Sequence, residues 1–113
     1  MKKIVAYCPL SNAVKVFSGK WKLFIIVRLI DGPLRYGQIK VDCENISEKM
    51  LTNQLKELEE DGIVNRKVYA EVPPKVVYSL TPLGKELLEA LVPLYDWGIK
   101  NLDNKEVPFI LNN

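Results

Sequence analysis

Lys49, Thr52, Asn53 and Lys56 stand three or four residues apart, the spacing that brings side chains onto one face of a helix. They offer two cations, a hydroxyl and an amide. Asn can pair with adenine through its amide, Thr can touch a thymine methyl or hydrogen-bond a base, and Lys can hold phosphate or guanine. On the opposite stripe Leu51, Leu55 and Leu58 recur at helical spacing, so one side of this segment is built for burial. Ser47 suits the N-cap, because its hydroxyl accepts a free first-turn N–H. Gly62 suits the stop, because it takes the left-handed conformation that ends a helix. Glu57, Glu59, Glu60 and Asp61 gather at the far end, leaving a basic and polar first half. A helix that enters a major groove by its first turns has that layout. Charges outside and leucines inside are also the ordinary pattern of a solvated helix, so the surrounding chain decides its meaning.

Other chemistry is sparse. The chain has no histidine and two cysteines, Cys8 and Cys43, without metal-ligand spacing, and a general base, a commonly used metal ligand and a zinc motif are thereby missing. There is no phosphate-cradling glycine loop and no nucleophile elbow. The expectation is a non-enzyme with no metal and no cofactor. Cys8 immediately precedes Pro9, and a helix beginning there would favour a thiolate through its dipole. Lys2 and Lys3 are close in sequence and add positive charge. The alternative is an ordinary thiol kept for packing. Cys43 falls in the loop before the Ser47 helix, able to pair with Cys8 or to stay inert.

The 113 residues read as a single domain, 1–113, with a modest core. Hydrophobic residues make up 48% and charged residues 27%, a globular rather than a disordered balance. A formal net charge of +2 permits nucleic acid as a partner without demanding it, so local placement carries the argument. The apolar run Leu23 to Val27 ends at Arg28, far too short to span a bilayer. Met1 to Lys3 followed by Ile4 to Cys8 is too short, and Tyr7 too bulky, for a lipoprotein leader. A cytoplasmic protein without membrane contact is expected, with its cysteines reduced unless one serves as a sensor.

The elements that must position these residues follow from punctuation and period. Pro9 marks a helix start, and the first helix covers Leu10 to Phe17 until Ser18-Gly19 breaks it. Lys20 to Ile30 reads as a second helix, apolar nearly all round and central. Asp31-Gly32-Pro33 is a turn, Leu34-Arg35-Tyr36 a short extended piece, and Tyr36 to Val41 a third helix. The loop Asp42 to Ile46 leads into the fourth, at Ser47. Ile63 to Glu71 and Lys75 to Leu80 read as strands around the turn Val72-Pro-Pro74. Thr81-Pro82 caps a last helix to about Leu102, with Pro93 inside it expected to kink it. Helices three and four form a helix-turn-helix and the hairpin is its wing. The fold class is α+β, mainly helical: a winged helix-turn-helix with additional N- and C-terminal dimerisation helices.

With that order in place the chain resembles the HxlR-type (DUF24) winged-helix transcription regulators of bacteria. The matching pieces are Cys8-Pro9, Gly19-Lys-Trp21, Gly32 with Leu34-Arg-Tyr36, Ile46-Ser47, Lys49, Leu51-Thr52, Leu55-Lys-Glu-Leu-Glu59, Asp61-Gly62-Ile-Val64, Arg66, Tyr69, Pro73-Pro74, Tyr78-Ser-Leu-Thr81, Gly84 and Trp97. Each is weak alone; in this order from Cys8 to Trp97 they are specific. Two positions depart: Tyr36 stands where the family usually has Phe, and Val77 where it usually has Glu. The resemblance implies a homodimeric DNA-binding repressor or activator. It also implies, for some members, a thiol switch at the position of Cys8.

The candidate DNA contacts are therefore Lys49, Thr52, Asn53 and Lys56, with Ser47 touching phosphate as well as capping. Arg35 just before the third helix has two readings, phosphate contact or an internal salt bridge. On the wing, Lys75 is expected to reach DNA, with Arg66 or Lys67 beside it. Trp21 is expected in the core. Leu87, Leu91, Leu94, Tyr95 and Trp97 give the last helix more apolar surface than a domain of this size can cover, so they are assigned with the first helix to a dimer interface. The function expected is a homodimeric, sequence-specific regulator on double-stranded DNA with an inverted-repeat operator, responsive to thiol reagents or electrophiles through Cys8. The alternatives are control by a non-covalent small molecule in an apolar pocket between the N-terminal helices and the dimer helix, or a winged helix that binds protein instead of DNA.

Overall fold

The apolar stripes read from the sequence meet in one core. In a computed structural model that describes residues 8–102, the chain runs α1 (Pro9–Phe17), α2 (Lys22–Arg28), β1 (Leu34–Arg35), α3 (Tyr36–Asp42), α4 (Glu48–Glu60), β2 (Val64–Tyr69), β3 (Lys75–Leu80) and α5 (Pro82–Asn101). Ile25, Ile26 and Leu29 from α2 and its C-cap, Ile39 from α3, and Leu51, Leu55 and Leu58 from α4 are fully or almost fully buried against Val64 of β2. Burying each such side chain contributes about 1.5–3 kcal/mol, so this cluster fixes how α4 sits on the rest.

α2 is shorter than the Lys20–Ile30 expected and is not apolar all round. Gly19 takes φ +98°, so the chain turns before Trp21 and helical bonding begins with the Ile25 N–H donating to the Trp21 carbonyl at 2.9 Å. At the other end Leu29 leaves helical dihedrals and Gly32, at φ +136°, turns the chain, a conformation that suits residues without a Cβ. Arg28 points outward and its guanidinium donates twice to Asp42 Oδ2, at 3.0 and 2.9 Å, tying α2 to the end of α3. Lys22 lies nearly buried, with its ammonium on the Glu57 carboxylate of α4. Trp21 is half-buried, packs edge-on against Phe24 and carries the Lys20 ammonium over its ring.

The expected hairpin is part of a larger unit. β1 pairs with β3 as well, making an antiparallel sheet of order β1-β3-β2. The register places Leu34 opposite Tyr78 and Arg35 opposite Val77, while β2 pairs Val64 with Leu80, Arg66 with Tyr78, Lys67 with Val77 and Tyr69 with Lys75. Leu34, too short a piece to call a strand from pattern alone, thereby anchors the turn between α2 and α3 to the wing.

α5 begins in a tight joint. The Thr81 hydroxyl donates to the Gly62 carbonyl at 2.6 Å and accepts the Gly84 N–H at 2.9 Å, while the Thr81 N–H donates to the Ile63 carbonyl at 3.0 Å. One residue thus caps α5 and holds it to the end of α4. From there α5 runs as one helical element through Pro93. Among the described residues no helix is long and apolar enough to cross a membrane.

Candidate nucleic-acid interface

The outer face of α4 is free. Lys49, Thr52, Asn53 and Lys56 are all exposed, while the leucine stripe behind them is buried. Ser47 caps the helix as its type requires: the Met50 N–H donates to its hydroxyl oxygen at 3.0 Å. That leaves only the hydroxyl hydrogen for a phosphate. Asp and Glu at a helix C-terminus are opposed by the backbone dipole. The acidic end of α4 is relieved at Glu57 by Lys22. Met50 is also exposed on the first turn of α4, and pattern reading passed over it.

Thr52 is not independent of the helix before it. Its Oγ1 lies 3.2 Å from the Tyr36 hydroxyl at the start of α3, a hydrogen bond between the two halves of the helix-turn-helix. Nothing in the periodicity of either helix signals this pair; it arises from how the two elements cross.

The sheet sorts the basic residues by face, since directly opposed residues in an antiparallel pair share a side. Arg35, Val77 and Lys67 form one row across the three strands, and Tyr69 with Lys75 forms the next. The Lys67 and Lys75 ammonium groups lie 5.2 and 4.8 Å from the centre of the Tyr69 ring, within cation–π range. This outer face therefore carries Lys67 and Lys75 around the Tyr69 ring, with Arg35 on the same face two strands away. Arg66 points to the other side, opposite Tyr78. Burial pushes the Tyr78 phenol above its ordinary pKa, and the Arg66 guanidinium beside it works against that rise. Among the described residues Arg35 makes no ion pair, which leaves it available to an anion. Period-2 alternation placed Lys75 but left Arg66 and Lys67 undecided; the cross-strand register separates them.

The two cysteines differ in setting. Cys8 is half-buried and is the N-cap of α1, its sulfur accepting the Ser11 N–H at 3.4 Å. Cys43 is not in an open loop: it is the C-cap of α3 and fully buried. Burial first, then the neighbouring Asp42 carboxylate, pushes its thiol up to about 11, partly offset by Arg28. Cys43 is thus held as a covered, protonated thiol. Lys2 and Lys3 fall outside the described residues. No group of three or more His, Cys, Asp or Glu suited to a metal ion occurs among the described residues.

Leu94, Tyr95 and Trp97 on α5 are 57%, 46% and 54% exposed, whereas Leu87 packs on the core and Leu91 is half-buried. Leu10 and Val14 of α1 are exposed as well. Between the two helices lies an open apolar groove of about 270 Å³ whose walls include Val16, Ile63, Leu83 and Leu87.

A helix-turn-helix with a sheet wing and a long added helix defines a winged helix-turn-helix protein, and comparison gives the family. The HxlR-like helix-turn-helix family matches residues 16–106. The HTH-type transcriptional regulator YybR of Bacillus subtilis is 45% identical over 96 residues, covering 85% of this chain and 77% of that one. Among solved structures, the redox regulator HypR in its oxidized form aligns with a TM-score of 0.75 at 45% identity, over 85% of this chain and 99% of that one. The reduced form of the transcriptional regulator YodB from B. subtilis aligns with a TM-score of 0.74 at 36% identity, over 91% and 98%. The chain belongs to the HxlR family of winged helix-turn-helix transcription regulators.

Proposed function

We propose that the chain is a single DNA-binding domain that works as a homodimer, with α4 in the major groove of each half of an inverted-repeat operator. The observation that carries this reading is the exposed row Lys49, Thr52, Asn53 and Lys56 above a fully buried leucine stripe. Arg35, Lys67 and Lys75 on the outer face of the sheet supply phosphate contacts beside it. Two recognition helices related by a twofold axis read half-sites about one helical turn apart, ~34–36 Å. Selection from random duplex DNA tests the reading. An inverted repeat is expected, bound with an affinity that falls steeply with salt, because each phosphate contact releases a counterion. Selection that returns no preferred sequence, with binding insensitive to salt, overturns it in favour of a protein-binding winged helix.

A second reading concerns control. Cys8 opens α1, its sulfur facing the Ser11 N–H, and α1 carries exposed Leu10 and Val14. Of the similar structures, HypR is a redox regulator. We infer that Cys8 responds to oxidants or electrophiles at the dimer interface. With diamide as oxidant, the Cys8 thiols of two subunits join in a disulfide and diamide takes up the two hydrogens. Operator affinity should change on diamide treatment in the wild type and not in Cys8→Ser. If both proteins respond alike, or neither does, a non-covalent ligand in the α1–α5 groove becomes the better account.

A further inference from the structure

We propose that Tyr36 is a specificity-determining residue: by holding the Thr52 hydroxyl it makes Thr52 read a thymine methyl group rather than a hydrogen-bonding base edge. The proposal rests on the reading of α4 as the groove-entering helix. Thr is unusual in a helix because its side chain divides between two rotamers, the hydroxyl being able to bond backward to the backbone. Here the oxygen has a partner on another element, Tyr36 Oη at 3.2 Å. Tyr36 is half-buried and opens α3, and its ring packs against the core. A phenol anchored in this way selects the rotamer whose oxygen faces α3. Thr52 itself is exposed; the bond to Tyr36 occupies one of the hydroxyl's hydrogen-bonding sites and turns its oxygen toward α3, which leaves the Cγ2 methyl as the group offered to a base. A free Thr hydroxyl can donate to or accept from more than one base, whereas a methyl makes only an apolar contact, and thymine is the base that presents a methyl in the major groove. Tyr36 touches no base in this scheme; it is a positioning residue that acts through Thr52.

The test uses the operator obtained by selection and replaces each thymine of a half-site in turn with deoxyuracil, which lacks only the methyl. Wild type should lose affinity at one position by about fourfold, the worth of one buried methyl. Thr52→Ser, which keeps the hydroxyl and drops the methyl, should lose that penalty. Tyr36→Phe, which removes one oxygen and leaves the ring in place, should bring the penalty at the same position to less than half and admit other bases there. In the Thr52→Ser background Tyr36→Phe should leave the thymine-to-uracil ratio unchanged. General loosening of α3 against α4 would lower affinity at every position alike and would not move that ratio. An equal thymine-to-uracil penalty in wild type and Tyr36→Phe overturns the assignment while leaving the DNA-binding reading intact. Selection that yields no operator overturns both.

Discussion

Asn53 and Lys56 stand one turn apart on the same exposed face of α4, yet their chemistry separates what each can do. An amide offers a donor and an acceptor side by side and matches adenine; an ammonium is a point charge that any phosphate satisfies. Asn53→Ala should therefore cost about 1–3 kcal/mol on the operator and relax preference at one position per half-site. Lys56→Ala should weaken operator and random DNA alike and lower the salt slope by about one. Equal losses on both DNAs for Asn53→Ala would refute its role. Cys43 supplies a separate residue-scale test. Its thiol, with an ordinary value of 9.0, is pushed to about 11 in the fold, so the folded chain holds a proton that the unfolded chain releases earlier. The stabilisation is present below the unfolded value and is lost as pH rises through the folded one. Denaturation from pH 9 to 11 should show a decline that is shallower in Cys43→Ala. At neutral pH a thiol reagent should label Cys8 in the native protein and reach Cys43 only on unfolding.

Elements were legible where a period or a cap announced them, and the joints between elements were not. Gly84 illustrates a joint. It is buried in the first turn of α5, and a Cβ there would collide with the Ile63 backbone carbonyl. Gly84→Ala must push α5 off the start of the wing and should destabilise the fold by about 1–3 kcal/mol in urea titration, against the small gain an exposed helical Gly→Ala change gives. Equal or greater stability would show that α5 can shift freely. By contrast α4 announced itself: Ser47, the leucine stripe and Gly62 predicted its limits, and the helix observed is Glu48–Glu60 capped by Ser47. The hairpin was legible from alternation and its prolines. β1 was legible only as the short extended piece Leu34 to Tyr36; its pairing with β3 was not, because two residues carry no period that would point to a partner strand. α2 was read too long because apolar content continues past the point where backbone dihedrals at Leu29 and Gly32 end it. On the interface, the exposed face of α4 could be read from spacing. The row of Arg35 with Lys67, and the bond from Tyr36 to Thr52, depend on contacts between elements distant in sequence, which no periodicity encodes.

At the scale of the whole molecule, α5 leaves much apolar surface uncovered. On α5 apolar side chains occupy well over half the circumference, from Trp97 through Leu83, Leu94 and Leu87, then Leu91 and Tyr95, to Ile99 and Val92, and only part of this meets the core. A helix apolar on so wide an arc belongs in an interior, and in this chain the described residues supply too little to cover it. In the dimer proposed above a second copy would cover it: twofold pairing would lay α5 and α1 of one protomer against those of its partner and set the two α4 helices at a fixed separation. Trp97 is the largest of these exposed side chains and should act as a hot spot, so Trp97→Ala should weaken the dimer by about 2–4 kcal/mol. Since the residue is exposed in the single chain, the fold of each protomer should survive, with its helical circular dichroism unchanged. Light scattering should give twice the chain mass for wild type at micromolar concentration and a concentration-dependent fall toward the monomer for Trp97→Ala. The same variant should lose the advantage of a full operator over a half-site, because two recognition helices gain affinity together only while they are joined. A monomer mass for wild type at micromolar concentration, or a full-site advantage that persists in Trp97→Ala, would mean that α5 is covered by something other than its own copy.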